Sequence, residues 1–417
     1  MFSDRTNWKL AQNRFTQAVE EVRAAGAKIL DLTVSNPTRA GLVYDSQAIL
    51  GALGSALALD YDPQSKGLLE AREAVAGYYR EQAARGERDV ASNVSPERIV
   101  LTTSTSEGYS YVFKLLCNAG DELLVPKPSY PLFEFLADLQ DVKLVPYPLI
   151  YDHGWQMDFP TLEKAVTERT RGVVVVHPNN PTGSYVQAVE MESLNAFCRV
   201  HGLALIVDEV FLDYELSGAA GGAVELRSAG HPRAAVSTSA LPRASFVENQ
   251  DVLTFTLSGL SKISALPQMK VAWVVTSGPA SIVDAAIGRL EVIADTYLSM
   301  NAPVQWAVPV LLDQRKSIQR QLLERVKGNL AELDRQLAKQ ESCQRLNVEG
   351  GWYAVLRVPI TRSDEELAIE LVQERRVLVH PGHFYDFPSD GYLVLSLITP
   401  QEEFGEGIGR ALEKLNS

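Results

Sequence analysis

Two runs in the middle of the chain are apolar almost throughout: GVVVVH at 172–177 and LALIVDEVF at 203–211. Strands covered on both faces of a parallel sheet read this way, without the polar alternation of a half-exposed strand. Between them, 188–201 has helical spacing, and the same alternation extends outward. The spacing predicts helices at 68–85 and 161–167, a helix opening after 102, and strands at 99–102, 122–125, 143–147, 252–256 and 271–276. Alternating helices and apolar strands from about 68 to 276 indicate an α/β domain with a mostly parallel sheet.

Either side of this block the pattern changes. Trp8, Leu10, Phe15, Val19 and Val22 recur at roughly helical spacing and predict a helix over 8–25, ended by Gly26. A short strand is expected at 29–34, then the loop SNPTRAG, a short helix at 46–59 and the turn-rich link YDPQSKG. Beyond the sheet, helices are expected at 279–297 and, as one long connector, at 304–340. Strands near 352–358, 376–380 and 392–398 and a helix at 401–415 then suggest a second, smaller α+β domain. Residues 215–250, rich in Ala, Gly and Ser, read as a long excursion before the next strand.

Composition narrows the function classes. The 417 residues hold 39 Lys and Arg against 52 Asp and Glu, a net charge of −13. That acidic balance argues against broad nucleic-acid or anionic-membrane binding. Cys117, Cys198 and Cys343 have no metal-ligand spacing and suggest no disulfide framework, and no metal is expected. No run approaches the ~20 apolar residues of a membrane span. The first residues lack the apolar core of a signal peptide, so a cytoplasmic protein is expected.

The candidate chemistry lies at strand ends, where open α/β sheets bind ligands. TTSTSEGYSYVFKLL at 102–116 reads as strand, hydroxyl run, helix. Free amides at a helix start attract an anion, and Ser and Thr add donors; the same run also serves as a plain N-cap. Asn180 follows one buried strand and Asp208 ends another. Lys262, in TLSGLSKISALPQMK, follows the run 252–256 and is placed to form a Schiff base with an aldehyde.

HPNNPTG (177–183), VDEVF (207–211) and SGLSK (258–262), in that order, resemble the class I/II aminotransferases of the fold type I pyridoxal 5'-phosphate (PLP) enzymes. The resemblance covers nearly the whole chain. It implies a large PLP-binding domain at 46–300, a connecting helix and small domain at 301–417, and a segment at 1–45 packing with the small domain. It implies Lys262 as the Schiff-base lysine, Asp208 facing the pyridine nitrogen, Asn180 on the phenolic oxygen and Tyr130 stacked on the ring. Ser104, Thr105 and Ser106 match the phosphate-holding helix start, with Ser258 beside them. Tyr61 matches a tyrosine reaching the phosphate of a neighbouring subunit, which implies a homodimer with shared sites. The activity implied moves an amino group from an amino donor to a 2-oxo acid or other carbonyl acceptor. The same apparatus also serves β-eliminating lyases and synthases.

The departures from the family pattern concern charge and donors. Phe211 stands where the family usually has a tyrosine donating to the phenolic oxygen, and Lys270 where it usually has an arginine on the phosphate. In GYLVLSLIT (391–399), Val394 and Leu395 occupy the place of the usual arginine for the substrate carboxylate. Arg39, with Ser35 in the loop that matches the substrate side, is the expected replacement, and Arg357 a second candidate.

Overall fold

The computed structural model describes residues 1–85, 94–216, 245–298 and 300–416. In chain order, α1 (Arg14–Ala24) and β1 (Leu30–Asp31) precede α2 (Ser46–Leu53) and α3 (Leu69–Arg85). Then come β2 (Ile99–Thr102), α4 (Thr105–Leu116), β3 (Glu122–Lys127), α5 (Leu132–Leu139), β4 (Lys143–Tyr151), β5 (Trp155–Met157), α6 (Phe159–Lys164), β6 (Thr170–Val176), α7 (Ala188–His201) and β7 (Ala204–Asp208). The next group is β8 (Thr254–Gly259), α8 (Leu260–Ile263), β9 (Ala272–Ser277), α9 (Ala280–Tyr297), α10 (Ala302–Asp313) and α11 (Arg315–Leu337). The chain closes with β10 (Gln344–Arg345), β11 (Tyr353–Arg357), α12 (Asp364–Glu370), β12 (Val377–Leu378), β13 (His380–Pro381), β14 (Tyr392–Ser396) and α13 (Gln401–Leu415).

Eight strands form one sheet in the order β2-β9-β8-β7-β6-β3-β4-β5. The central run β8-β7-β6-β3-β4 is parallel throughout. β9 runs against both of its neighbours, and β5 runs against β4. The period-2 geometry of strands sorts the apolar runs onto two faces. Val174, Val176 and Ile206 pack under Tyr109, Phe133 and Leu290 from α4, α5 and α9. Val173, Val175, Leu205 and Val207 pack against Leu162 and Leu194 from α6 and α7. Burial on both faces is the physical reason these strands carry no polar alternation.

A second, antiparallel sheet has the order β10-β11-β14-β13, and β1 pairs with β12 in parallel. One buried cluster joins Phe15 and Leu32 near the start of the chain to Leu322 and Val326 of α11, Val355 and Val394 of the small sheet, and Phe404 of α13. The same cluster takes in Phe211, Tyr214 and Trp352, so the small sheet meets the large one at the end of β7. Gly183 lies at this junction with φ +70°, and an added Cβ would come within 2.5 Å of Gly350 O. Its carbonyl accepts from the amides of Glu349 and Gly350, an approach that a side chain would prevent.

Several boundaries differ from the sequence expectation. The first helix starts at Arg14, not Trp8, because Asn13 caps it by accepting from the Thr16 amide. Leu10 is left 87% exposed, and the Trp8 indole donates instead to Asp138 at the end of α5. The expected connector over 304–340 is two helices that divide at Gln314. The helix expected at 161–167 begins two residues earlier, where Asp158 caps it, and ends at Lys164. The strand expected at 252–256 runs from Thr254 to Gly259 and turns straight into the one-turn helix α8. Most of the excursion expected at 215–250 lies outside the described residues. Among the described residues, no helix is long and apolar enough to cross a membrane, and no cluster of His, Cys, Asp and Glu is arranged to hold a metal.

Candidate active site

β6, β7 and β8 lie side by side and parallel, with Val176 beside Asp208 and Asp208 beside Leu257. Their carboxyl ends therefore open at one edge. That edge brings the loop with Asn180, the carboxylate of Asp208 and the turn with Lys262 into one cleft.

Lys262 is carried on α8, directly after β8. Its Nζ lies 5.0 Å from the centre of the Trp352 ring and 5.5 Å from that of Phe211. Burial lowers its pKa from 10.5 to about 8, and the negative charge of Asp208 opposes that fall. An amine with this pKa holds a substantial neutral fraction near pH 7 to 8, the form that attacks a carbonyl. The carrier turn is pinned through its main chain. Tyr214 Oη donates to Lys262 O at 2.6 Å, Gln319 Nε2 to Ile263 O at 2.9 Å, and Tyr44 Oη to Ala265 O at 2.9 Å.

Asp208 ends β7. Its Oδ1 accepts from the Val210 amide at 3.1 Å and its Oδ2 from Tyr109 Oη at 3.1 Å. Burial raises its pKa from 3.8 to about 6, while these two donors and Lys262 pull it back. Glu209 beside it faces the other way: it accepts from Ser245 Oγ at 2.6 Å and the Phe246 amide at 2.7 Å, and burial raises it to about 7. Glu209 thus ties the returning chain at 245–246 to the end of β7. In the loop after β6, Asn180 Oδ1 is buried without a hydrogen-bond partner.

Ser104 caps α4, accepting from the Glu107 amide at 3.2 Å. Glu107 folds back to accept from the Thr103 amide at 2.6 Å. The amides of Thr105 and Ser106 fall in the first helical turn, where no helix carbonyl is available to them. Tyr109, one turn further along, carries α4 to Asp208. The hydroxyl run therefore caps the helix, as the plainer of its two readings has it.

The remaining candidates are spread around this centre. Tyr130 follows β3 and is half exposed. Ser258 is buried, and its hydroxyl donates to Glu209 O at 3.4 Å, a bond to the main chain of the next strand. Lys270 is exposed at φ +54° at the end of a 3-10 turn. Tyr61 is 81% exposed. Arg39 and Ser35 are exposed around the 3-10 turn Pro37–Arg39, and Arg39 makes no ion pair with a described residue. Arg357 lies over the rings of Tyr151 and Tyr392. Val394 is buried, paired with His380 on one side and Val355 on the other.

Tyr109, Tyr214, Trp352 and Glu209 do not stand out in the sequence. A tyrosine on the apolar face of a helix reads as core, and only the fold shows that its hydroxyl meets a carboxylate. Glu209 carries one signal, its place directly after Asp208 at a strand end.

These side chains suit PLP. The neutral-poised amine of Lys262 suits its aldehyde, Asp208 its ring nitrogen, the donor Nδ2 of the Asn180 side chain its phenolic oxygen, and the start of α4 its phosphate. The sequence matches the family model for aminotransferase class I and II over residues 27–403. Glutamate-pyruvate aminotransferase AlaA of Escherichia coli (strain K12) is 27% identical over 382 residues, covering 89% of this chain and 87% of that protein. An alanine aminotransferase of Mycobacterium bovis is 27% identical over 405 residues, covering 94% and 87%. Among solved structures, alanine aminotransferase from Pyrococcus furiosus superposes with a TM-score of 0.83 at 20% identity, covering all of both chains. The cleft that gathers Lys262, Asp208 and Asn180 thus sits in a chain that belongs to the class I and II aminotransferases, and members of this family with this fold use PLP.

Proposed function

We propose that this chain is a cytoplasmic PLP-dependent aminotransferase that holds its cofactor through Lys262. The observation that carries the reading is the amine itself. Nζ of Lys262 lies against the Phe211 and Trp352 rings, with its pKa lowered to about 8 and the charge of Asp208 acting on it. When bound, PLP supplies an aldehyde that captures amines and a ring that accepts electrons from the donor's Cα.

The rest of the work belongs to the chain's own residues. With PLP bound, the Lys262 amine would be the acid–base group that takes the proton from the donor's Cα and gives it back. Asp208 would hold the ring nitrogen, whose positive charge would lower the raised pKa of the carboxylate. Asn180 would hold the phenolic oxygen through its Nδ2 donor, and Tyr130 would cover the ring. The amides and hydroxyls at Ser104, Thr105 and Ser106 hold the phosphate, with the charge of Lys270 nearby. Tyr61, exposed in the single chain, serves the phosphate site of a second copy, which makes the working unit a homodimer. Arg39 takes the carboxylate of the amino donor, a role that its exposed and unengaged guanidinium supports. The named relatives act on alanine, or on glutamate and pyruvate, and these are the first donors and acceptor to try.

The test is borohydride reduction of the PLP-loaded protein followed by peptide mapping. The label is expected on Lys262, and Lys262→Ala is expected to lose the visible cofactor band. A retained band, or a label elsewhere, rejects the assignment. Incubation with alanine or glutamate is then expected to convert the cofactor to its amine form. Steady release of a 2-oxo acid with the original spectrum restored would point to elimination instead.

A further inference from the structure

We propose that Tyr214 is a positioning residue for Lys262, locking the lysine's carrier turn against the indole of Trp352. The proposal rests on Lys262 being the reactive amine.

Tyr214 is fully buried and touches both parts of this arrangement. Its hydroxyl donates to Lys262 O at 2.6 Å, a short bond to the main chain of the residue that carries the amine. Its own carbonyl accepts from the Gly351 amide at 2.9 Å, immediately before Trp352. Its ring meets the Trp352 ring edge-on, with centroids 5.1 Å apart at 72°. Trp352, also fully buried, in turn faces Lys262 Nζ at 5.0 Å. The three contacts close a loop: lysine main chain, tyrosine, tryptophan, lysine amine.

The neighbouring bonds do not close it. Tyr44 and Gln319 hold Ala265 O and Ile263 O, and so fix the far side of the turn. The turn needs holding, because Ala265 sits at φ +51°, a left-handed conformation that L residues with a Cβ disfavour. Tyr214 also belongs to the seam between the sheets, where Leu216 N donates to Glu349 O at 2.8 Å and Glu215 bridges Gly350. The residue that sets the lysine is therefore anchored to the segment that leads into the small sheet. Burial, with Asp213 and Tyr44 nearby, raises the Tyr214 phenol well above 10, so its hydroxyl remains a donor across the working pH range.

A side chain fixed by packing on one side and a main-chain bond on the other holds its amine within reach of only one geometry. Misplacing a reacting group by about 1 Å costs up to roughly 10²-fold in rate. Without the hydroxyl, the turn gains freedom and water gains access to Nζ. Because burial is the main cause of the lowered lysine pKa, hydration raises it again. Asp208 is the charged group that acts on Lys262, and Phe211 and Trp352 face it as neutral rings, so the lysine pKa reports access of water.

The experiment is competitive acetylation of the cofactor-free protein across pH, with the Lys262 peptide read by mass spectrometry, on wild type, Tyr214→Phe, Trp352→Phe and Tyr44→Phe. Wild-type labelling is expected to titrate near pH 8. Tyr214→Phe keeps the ring and loses only the donor, and its midpoint is expected to rise toward that of an ordinary lysine. In the PLP-loaded enzyme the same variant is expected to lower the donor half-reaction kcat about tenfold while changing KM little, as a positioning defect does. Trp352→Phe is expected to shift the midpoint in the same direction, and the double variant by less than the sum. Tyr44→Phe is expected to leave the Lys262 midpoint where it is. A wild-type midpoint and kcat in Tyr214→Phe overturn the proposal, and so does an equal shift in Tyr44→Phe, which would mean that general tightness of the turn is all that matters. The labelling reads the coupling of Tyr214 to Lys262 without cofactor, so it stands apart from the borohydride test of Lys262 as the cofactor lysine.

Discussion

Tyr109 Oη donates to Asp208 Oδ2 at 3.1 Å, so the helix that starts at the hydroxyl run also steadies the carboxylate at the end of β7. The Tyr109 ring is held independently, edge-on to Phe133 at 5.2 Å and Phe113 at 5.9 Å. Tyr109→Phe should therefore keep the packing and remove one donor to the ionised carboxylate. A hydrogen bond to a charged group contributes about 1.5–3 kcal/mol, so PLP affinity is expected to fall by roughly ten- to hundredfold. Fluorescence or absorbance titration of the cofactor-free protein with PLP measures it. An unchanged affinity would mean that the phenol contributes nothing to holding Asp208 ionised.

The opposed pKa changes of Asp208 and Lys262 predict an unusual pH profile for the cofactor-free protein. The folded pKa of Asp208 is raised from 3.8 to about 6, so its contribution to stability is present below pH 4 and lost as pH rises through 6. The folded pKa of Lys262 is lowered from 10.5 to about 8, so its contribution is present above 10.5 and lost as pH falls through 8. Between about pH 6 and 8 both groups are charged in the cleft and both penalties apply. Each tenfold change in proton affinity between the folded and unfolded chain is worth about 1.4 kcal/mol. Asp208→Asn is therefore expected to stabilise the cofactor-free protein at pH 7 by up to roughly 3 kcal/mol, and by much less at pH 4. The substitution also removes the negative charge that raises the Glu209 pKa and supports the Lys262 cation, so this figure is an upper bound. Thermal melts of wild type and Asp208→Asn at the two pH values decide it. Adding PLP should reverse the order at pH 7, because the ring nitrogen then pairs with the wild-type carboxylate.

The parts of this protein legible in the sequence are those whose physics is local. Val173 to Val176 and Leu205 to Val207 are apolar because both faces of the sheet are covered, and that pattern places Asn180, Asp208 and Lys262 at strand ends without any structure. The helix at 188–201 is framed by a Gln187–Glu190 capping box and by Gly202 in the left-handed region, both local signals. What the sequence hides depends on partners far along the chain. Trp8 has helical spacing with Phe15, but Asp138 draws its indole to α5. Ser258 belongs to the most telling motif, yet its hydroxyl bonds the main chain of the next strand. Tyr214 reads as core from its neighbours, and its hydroxyl acquires a role only because the fold brings Lys262, 48 positions later, above it.

Phe211 is buried between Trp352, at 5.2 Å between ring centres, and Tyr353, at 6.3 Å, with Lys262 Nζ over its face. It cannot donate a hydrogen bond to the phenolic oxygen of PLP. A donor there would favour the oxygen's anion and make the Lys262 nitrogen bound beside it less basic. Phe211→Tyr is therefore expected to move the pH midpoint of the visible band of the PLP-loaded protein downward. Equal midpoints in the two proteins would show that the wild-type phenyl imposes no such shift.

Arg39 carries the prediction that bears most directly on the substrate. The strand positions where the family usually has a carboxylate-binding arginine hold Val394 and Leu395, both buried, with Val394 paired with His380 and Val355. Burial lowers the pKa of His380 to about 4, so it is neutral near pH 7 and offers no charge there. Lys127 is paired with Asp386 at 3.0 Å, and Arg357 is laid over two rings. Arg39 is exposed on its short turn, which Asn36 caps, and makes no ion pair with a described residue. Losing a charge-assisted bond of about 1.5–3 kcal/mol, Arg39→Ala is expected to raise the KM for alanine or glutamate by roughly ten- to hundredfold. PLP affinity and the reactivity of Lys262 should stay at wild-type values. Arg39→Lys should recover part of the loss, since it keeps the charge but not the two-pronged donor. A normal donor KM in Arg39→Ala would remove Arg39 from the site, and selective turnover of amines that lack a carboxylate would then explain why Val394 and Leu395 stand in place of a cation.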